Sequence, residues 1–263
     1  MPSSRSRVFI TGSADSLGLA AARDLITRGH DVVVHARNER RADDVRRLLP
    51  DAAGVVIADV TSIAAVRQLA VDAQQFGPLD TVIHNVGLGY LEPARAATVD
   101  GHAQLLQVNV LTPYLLTALM PRPHRMIWLS SGLHRDGDAD LSDIDWTRRG
   151  WNGFQAYCDS KLFDAALSAA VARLWPDVIS NALEPGWVPT KMGGPGATDD
   201  LSLGHVTQVW LAEGAVPGTN TSGGYWFHQK PRATHPAVDD ERFQDDLLQS
   251  LAELTGVTLP TGR

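Results

Sequence analysis

The sequence predicts one doubly wound α/β domain, spanning residues 1–263, built on a seven-stranded, mainly parallel sheet with helices on both faces. Three observations lead there. The chain has 263 residues, 44% hydrophobic and 20% charged, enough to bury one sizeable core. Runs rich in Val and Ile alternate with longer segments of helical period, the pattern of repeated βα units. The first of those runs leads directly into a glycine-bearing turn at the opening of a helix.

Strands are expected near residues 7–11 (RVFIT), 31–35 (DVVVH), 54–58 (GVVIA), 80–84 (DTVIH), 125–130 (RMIWLS), 178–183 (VISNAL) and 223–228 (GGYWFH). Helical patterns lie between them, near 17–28, 39–48, 62–76, 101–120, 154–174 and 203–213, with one more near 239–254. That last segment carries Phe243, Leu247, Leu248 and Leu251 as a stripe that packs on the domain or on another subunit. Two stretches, 132–153 and 185–200, break the alternation. The first is polar and rich in Gly and Asp, so it is not expected to add to the core. The second holds three Pro and four Gly. Loops of this length on a compact domain often border a site.

The charge excludes some roles. Lys and Arg number 23 against 30 Asp and Glu, a net charge of -7, which offers no broad attraction to nucleic acid or to an anionic membrane surface. Residues 1–50 are the exception, with nine Arg against six acids, a local +3 that suits a polyanionic small molecule. One cysteine, Cys158, allows no internal disulfide, and neither an apolar leader nor a run of about 18 apolar residues is present. A cytoplasmic protein without a membrane anchor is the expectation. The nine His show no paired ligand spacing, so no metal site is expected.

After the first strand comes Thr11-Gly12-Ser13-Ala14-Asp15-Ser16-Leu17-Gly18, with a helix opening at Leu17. Gly12 permits a tight turn and Gly18 a close helix-to-strand contact, and the helix N-terminus offers free N–H groups to a pyrophosphate. The second strand ends His35-Ala36-Arg37-Asn38, where a dinucleotide fold presents its ribose-binding residue. No carboxylate stands there. Arg37 pairs with a 2'-phosphate where an acid would repel it, so NADP(H) is favoured over NAD.

Tyr157 and Lys161 are four residues apart on one helix face, so an ammonium can draw the phenol pKa down towards working pH and equip it as an acid or base. Ser130 and Ser131 close the fifth strand, and Asn109 lies in the preceding helix, so these groups can meet at one edge of the sheet.

Taken together, these motifs resemble the short-chain dehydrogenase/reductase superfamily, whose single domain is of the Rossmann type. The TGSADSLG turn is similar to the family's TGxxxGxG, Asp59-Val60 to its adenine-contacting Asp and neighbour, and Asn85-Val86-Gly87 to its NAG motif. Asn109 in QVNVLTPYLLT, Ser131 in WLSSG, YCDSK at 157–161 and Pro185-Gly186 before Thr190 follow in family order. The resemblance implies a carbonyl/alcohol oxidoreductase that is usually a dimer or tetramer. Tyr157 would exchange a proton with the substrate oxygen, Ser131 would hold that oxygen, Lys161 would bind the nicotinamide ribose, and Asn109 would hold a water linked to the lysine. Ser13 and Arg37, helped by Asn38, would bind the 2'-phosphate; Gly186, Val188 and Thr190 would complete the cofactor contacts.

The chain departs from the pattern where Ser16 replaces a glycine, which crowds the cofactor or donates to its phosphate, and where Val86 replaces a small alanine. Ser131 to Tyr157 spans 26 residues, an interval similar to the subgroup of retinol dehydrogenases and related carbonyl reductases. Leu133, His134, Trp151 and Phe154, with Trp187 and Met192, are the candidate walls of a pocket for a small, partly apolar molecule. The competing class is a non-catalytic NADP(H)-binding redox sensor, which needs only the cofactor half of these residues.

Overall fold

The computed structural model describes residues 5–261. Its first half alternates strand and helix: β1 (Arg7–Ile10), α1 (Ser16–Thr27), β2 (Asp31–Ala36), α2 (Glu39–Leu48), β3 (Gly54–Ile57), α3 (Ile63–Gln74) and β4 (Thr81–His84). A helical stretch follows as α4 (Gln104–Leu106), a π-helical turn (Gln107–Leu111) and α5 (Thr112–Leu119). Then come β5 (Arg125–Leu129), α6 (Gly153–Leu174), β6 (Ile179–Leu183), α7 (Val206–Glu213), β7 (Tyr225–Phe227), β8 (Lys230–Pro231) and α8 (Glu241–Thr255).

The sheet order is β3-β2-β1-β4-β5-β6-β7-β8, parallel through β7. The chain winds outward from β1 to β3, returns beside β1 as β4, and winds out the other way. The strand ends therefore part between β1 and β4, which opens a crevice at the carboxyl edge. Alternate residues of each strand face opposite layers. Phe9 and Val33 join Leu69, Leu115, Trp128 and Phe163 on the side of α3, α5 and α6. Val8, Ile10, Val32 and Val34 join Leu25, Val45 and Val209 on the side of α1, α2 and α7.

The structure corrects the sequence reading in four places. An eighth strand, two residues long and antiparallel to β7, adds to the expected seven. The helix expected over 101–120 starts at Gln104, because Gly101 takes a positive φ of 86° and Ala97 bridges Ala103. It also slips into a π turn around Asn109. Pro113 has no N–H to give the Asn109 carbonyl, and the Thr112 amide reaches back five residues to Gln107.

The loop over 132–153 does contribute to the core. Ile144 and Trp146 are buried in it, with Trp146 edge-on to Trp151 and covered by the Arg149 guanidinium 3.5 Å from its ring. Its many acids cap its own backbone: Asp143 accepts from the amides of Thr147, Arg148 and Arg149. Asp145 anchors the loop to Arg95, His102 and the Ala103 amide.

The C-terminal stripe packs on its own domain. Phe243 lies beside Phe163 of α6, and Leu247 and Leu251 are fully buried. Leu251→Ala should therefore lower unfolding stability in urea by ~2–5 kcal/mol. The partly exposed Leu248 replaced by Ala should lower it by less than about 1 kcal/mol.

Candidate active site

The crevice is held by hydrogen bonds between the ends of β1 and β4. The Thr11 hydroxyl accepts from the amides of Asn85 and Val86, and the Asn85 side-chain amide donates to the carbonyls of Thr11 and Gly12. Gly12 has φ 64°, and a Cβ there would lie 2.9 Å from the Val86 Cα. A Cβ on Gly18 would lie 2.5 Å from the Asn85 Nδ2, so α1 approaches the strand ends closely only because of that glycine. His35 on β2 completes the turn: its Nδ1 accepts from the Gly12 amide and its Nε2 donates to the Ala58 carbonyl. Burial pushes its pKa down and keeps it neutral for both roles.

Ser16 has φ 50°, in the left-handed region that favours glycine, which is the backbone reason a glycine is usual at this place. The side chain nevertheless leaves the groove open. Asp15 caps α1 by accepting from the Ser16 amide, and it is paired with Arg41 and with Lys191 from the 185–200 loop. Those cations hold its pKa below the usual carboxylate range and seat the loop across the mouth of the crevice.

Tyr157 and Lys161 line this crevice, Ser131 lines the cavity that adjoins it, and Asn109 is buried behind Gly87 of the crevice wall. Tyr157 and Lys161 are on one face of α6, with the Lys161 Nζ 6.0 Å from the phenol ring centre. That Nζ donates to the Leu129 carbonyl and to Asp164 Oδ2, each at 2.8 Å. Ser130 ties β5 to α6 by donating to the Lys161 carbonyl. The Asn109 amide is fixed on the backbone of Leu88 and on the Ser160 hydroxyl.

Ser131 stands next to the phenol and helps to lower its pKa, as does Lys161. Burial outweighs both and leaves Tyr157 above its ordinary value, not below it as the bare spacing of Tyr and Lys suggests.

A groove of about 420 Å³ runs along the crevice, lined by Gly12, Ser16, Leu17, Gly18, Asn85, Val86, Gly87, Lys161, Pro185 and Thr190, among others. Several residues expected on it are placed elsewhere. Ser13 is fully buried, its hydroxyl donating to the Ile10 carbonyl and accepting from the His35 amide, so it joins β1 to β2 instead of meeting a phosphate. Asn38 caps α2 by accepting from the Arg41 amide. Asp59 accepts from Thr61, and the carbonyl of buried Val60 accepts from Gln107 and Thr112; neither residue lines the groove. Gly186 and Val188 line the neighbouring cavity. Arg37 is exposed just beyond β2, and among the described residues its guanidinium has no hydrogen bond or ion pair.

The adjoining cavity, about 520 Å³, meets the groove at Leu17, Ser130, Tyr157 and Met192. Leu133, Phe154, Trp187 and Met192 line it as expected, joined by Tyr90 and Phe227. Tyr90 stands edge-on to Tyr157 at 5.6 Å and to Phe154 at 6.1 Å. His134 and Trp151 do not line it. His134 is buried against Tyr225 and donates from Nδ1 to the Ser131 carbonyl, and burial pushes its pKa down to about 4. Trp151 donates to the Glu92 carbonyl behind the cavity wall.

Comparison with known proteins agrees with this geometry. Residues 6–133 match the short chain dehydrogenase family. The chain is 43% identical to the short-chain dehydrogenase chry4 of Gibberella zeae over 97% of this chain and 99% of that one. It is 29% identical to human retinol dehydrogenase 13 over 97% and 86%. The crystal structure of an uncharacterized protein from Mycobacterium paratuberculosis superposes with a TM-score of 0.84 at 25% identity, covering 98% and 96%. A Rossmann-like sheet carrying these groups at its switch point defines an oxidoreductase of the nicotinamide-dependent kind. The chain belongs to the short-chain dehydrogenase/reductase family.

Ser13→Ala leaves the buried His35 amide unpaired and should cost ~1–3 kcal/mol in thermal or urea unfolding. The ratio of NADPH to NADH affinity should stay unchanged; a selective loss of NADPH would return Ser13 to the 2'-phosphate.

Proposed function

We propose that this protein is an NADP(H)-dependent oxidoreductase that interconverts a carbonyl and an alcohol on a small, largely apolar molecule. The observation that carries the reading is the convergence of Ser131, Tyr157 and Lys161 where the groove meets the apolar cavity. A redox sensor would need the groove alone; nothing in such a role calls for an apolar cavity opening onto a buried tyrosine.

The residues present fit a nicotinamide dinucleotide. The Gly12 cradle and the α1 N-terminus suit a pyrophosphate. Lys161 has three N–H donors and uses two within the protein, which leaves one for the ribose hydroxyls. Arg37, which has no ion pair among the described residues, suits a 2'-phosphate and favours NADP. Thr190 and Pro185 border the inner end of the groove. When bound, the cofactor supplies or accepts the hydride at the carbonyl carbon.

The chain's own groups manage the proton and the oxygen. In the reductive direction the Tyr157 phenol gives its proton to the substrate oxygen, and the Ser131 hydroxyl holds that oxygen within reach. Tyr225 and His134 both donate to the Ser131 carbonyl, which fixes the serine's backbone. Tyr90, Leu133, Phe154, Trp187, Met192 and Phe227 exclude water and favour an aromatic or aliphatic ketone. The buried thiol of Cys158 fits a reducing, cytoplasmic setting. A homo-dimer or tetramer, the family's usual assembly, is the form to look for by sedimentation.

Tyr157→Phe should reduce turnover of a responsive carbonyl by ~10²–10⁴-fold while cofactor affinity changes by no more than a few-fold. Full turnover in that variant would remove the proton-transfer role. Arg37→Ala should weaken NADPH by ~10–100-fold and NADH hardly at all. An equal loss for both would show that Arg37 does not read the phosphate.

A further inference from the structure

Asp164 follows Lys161 by three residues on α6 and is as deeply buried as the lysine. Its Oδ2 is 2.8 Å from Nζ, and its Oδ1 has no hydrogen-bond partner among the described residues. A buried carboxylate so placed is costly unless it serves its neighbour. We infer that Asp164 is a positioning residue that holds Lys161 by one N–H and cancels much of its charge at Tyr157, so that the phenol stays protonated and the enzyme is built to reduce carbonyls.

The argument is electrostatic. An isolated ammonium acts on Tyr157 as a full charge, whereas an ammonium joined to a carboxylate acts as a dipole, whose potential falls off faster with distance. Lys161 is the charged group that acts on Asp164, 2.8 Å from its Oδ2; burial pushes that carboxyl up to about 6, and the ammonium beside it opposes the rise. Around Tyr157, Lys161 and Ser131 favour the phenolate, and Asp164 and Cys158 on the same helix oppose it. From β7, Tyr225 faces the same site, with Glu184 and Arg135 acting behind it. A protonated phenol is the form that gives a proton to a carbonyl oxygen. Its phenolate, the base for alcohol oxidation, then forms only at alkaline pH.

This inference rests on the proposed function for its catalytic consequence, but its test needs neither substrate nor cofactor. Ultraviolet titration of the phenols, with the Tyr157→Phe titration subtracted, isolates Tyr157. Asp164→Asn keeps the shape and removes the charge, and should lower the Tyr157 midpoint by about one pH unit or more. An unchanged or higher midpoint would overturn the inference.

Should the lone lysine charge unfold that variant, Lys161→Met with Asp164→Leu replaces both partners by apolar groups, a change buried pairs often tolerate. The midpoint should then stay within about half a unit of wild type, because opposed charges leave together. A rise of more than about one unit would mean that Asp164 does not counter the lysine. With a responsive ketone in hand, the alkaline limit of reduction should shift down in Asp164→Asn by the same amount. Absence of turnover on every carbonyl would sink the functional reading alone, while the titration still decides the charge balance.

Discussion

A single ammonium buried beneath α6 orders the site. Lys161 is held on one side by the Leu129 carbonyl at the end of β5 and on the other by Asp164, so strand and helix are fixed relative to each other through one charged group. Ser130 repeats the tie from the strand side. With the helix fixed in this way, Tyr157 has one place to stand, between the groove and the apolar cavity. Removing either ionic partner alone would leave an uncompensated charge in the core, which is why the pair resists piecemeal change.

On the other side of the crevice the constraint is backbone contact. Gly12 and Gly18 admit no Cβ, and Thr11, Asn85 and His35 hold the turn between them by direct hydrogen bonds. The groups proposed to bind a dinucleotide are thus main-chain N–H donors set in position before any ligand arrives. Ser16 keeps a glycine-like backbone without being glycine, so the strain remains local to one residue.

Much of this was legible in the sequence because it depends on period and on local chemistry. Val8, Phe9 and Ile10 face alternate layers as a buried strand must, and the turn from Thr11 to Gly18 declares its shape through its glycines. Arg37 at the end of β2 and the Tyr157–Lys161 spacing were readable for the same reason. What stayed hidden depends on partners distant in the chain. Ser13 looks free until His35 is placed 22 residues away, and Trp151 looks like a pocket wall until Glu92 takes its N–H. The π turn at Asn109 has a visible cause in Pro113. Asp164 was also in plain view, on the lysine's face of the helix, but its meaning depends on burial, which spacing does not reveal. Tyr90 and Phe227 reach the cavity from loop and edge positions that carry no motif.

The most direct test is a fluorescence titration of the purified protein with NADPH and with NADH, since binding requires no knowledge of the substrate. Saturable binding of NADPH, about tenfold or more tighter than NADH, is the result that the open groove and Arg37 demand. Binding of neither cofactor would contradict the assignment of the crevice as a dinucleotide site, and with it the role given to Tyr157.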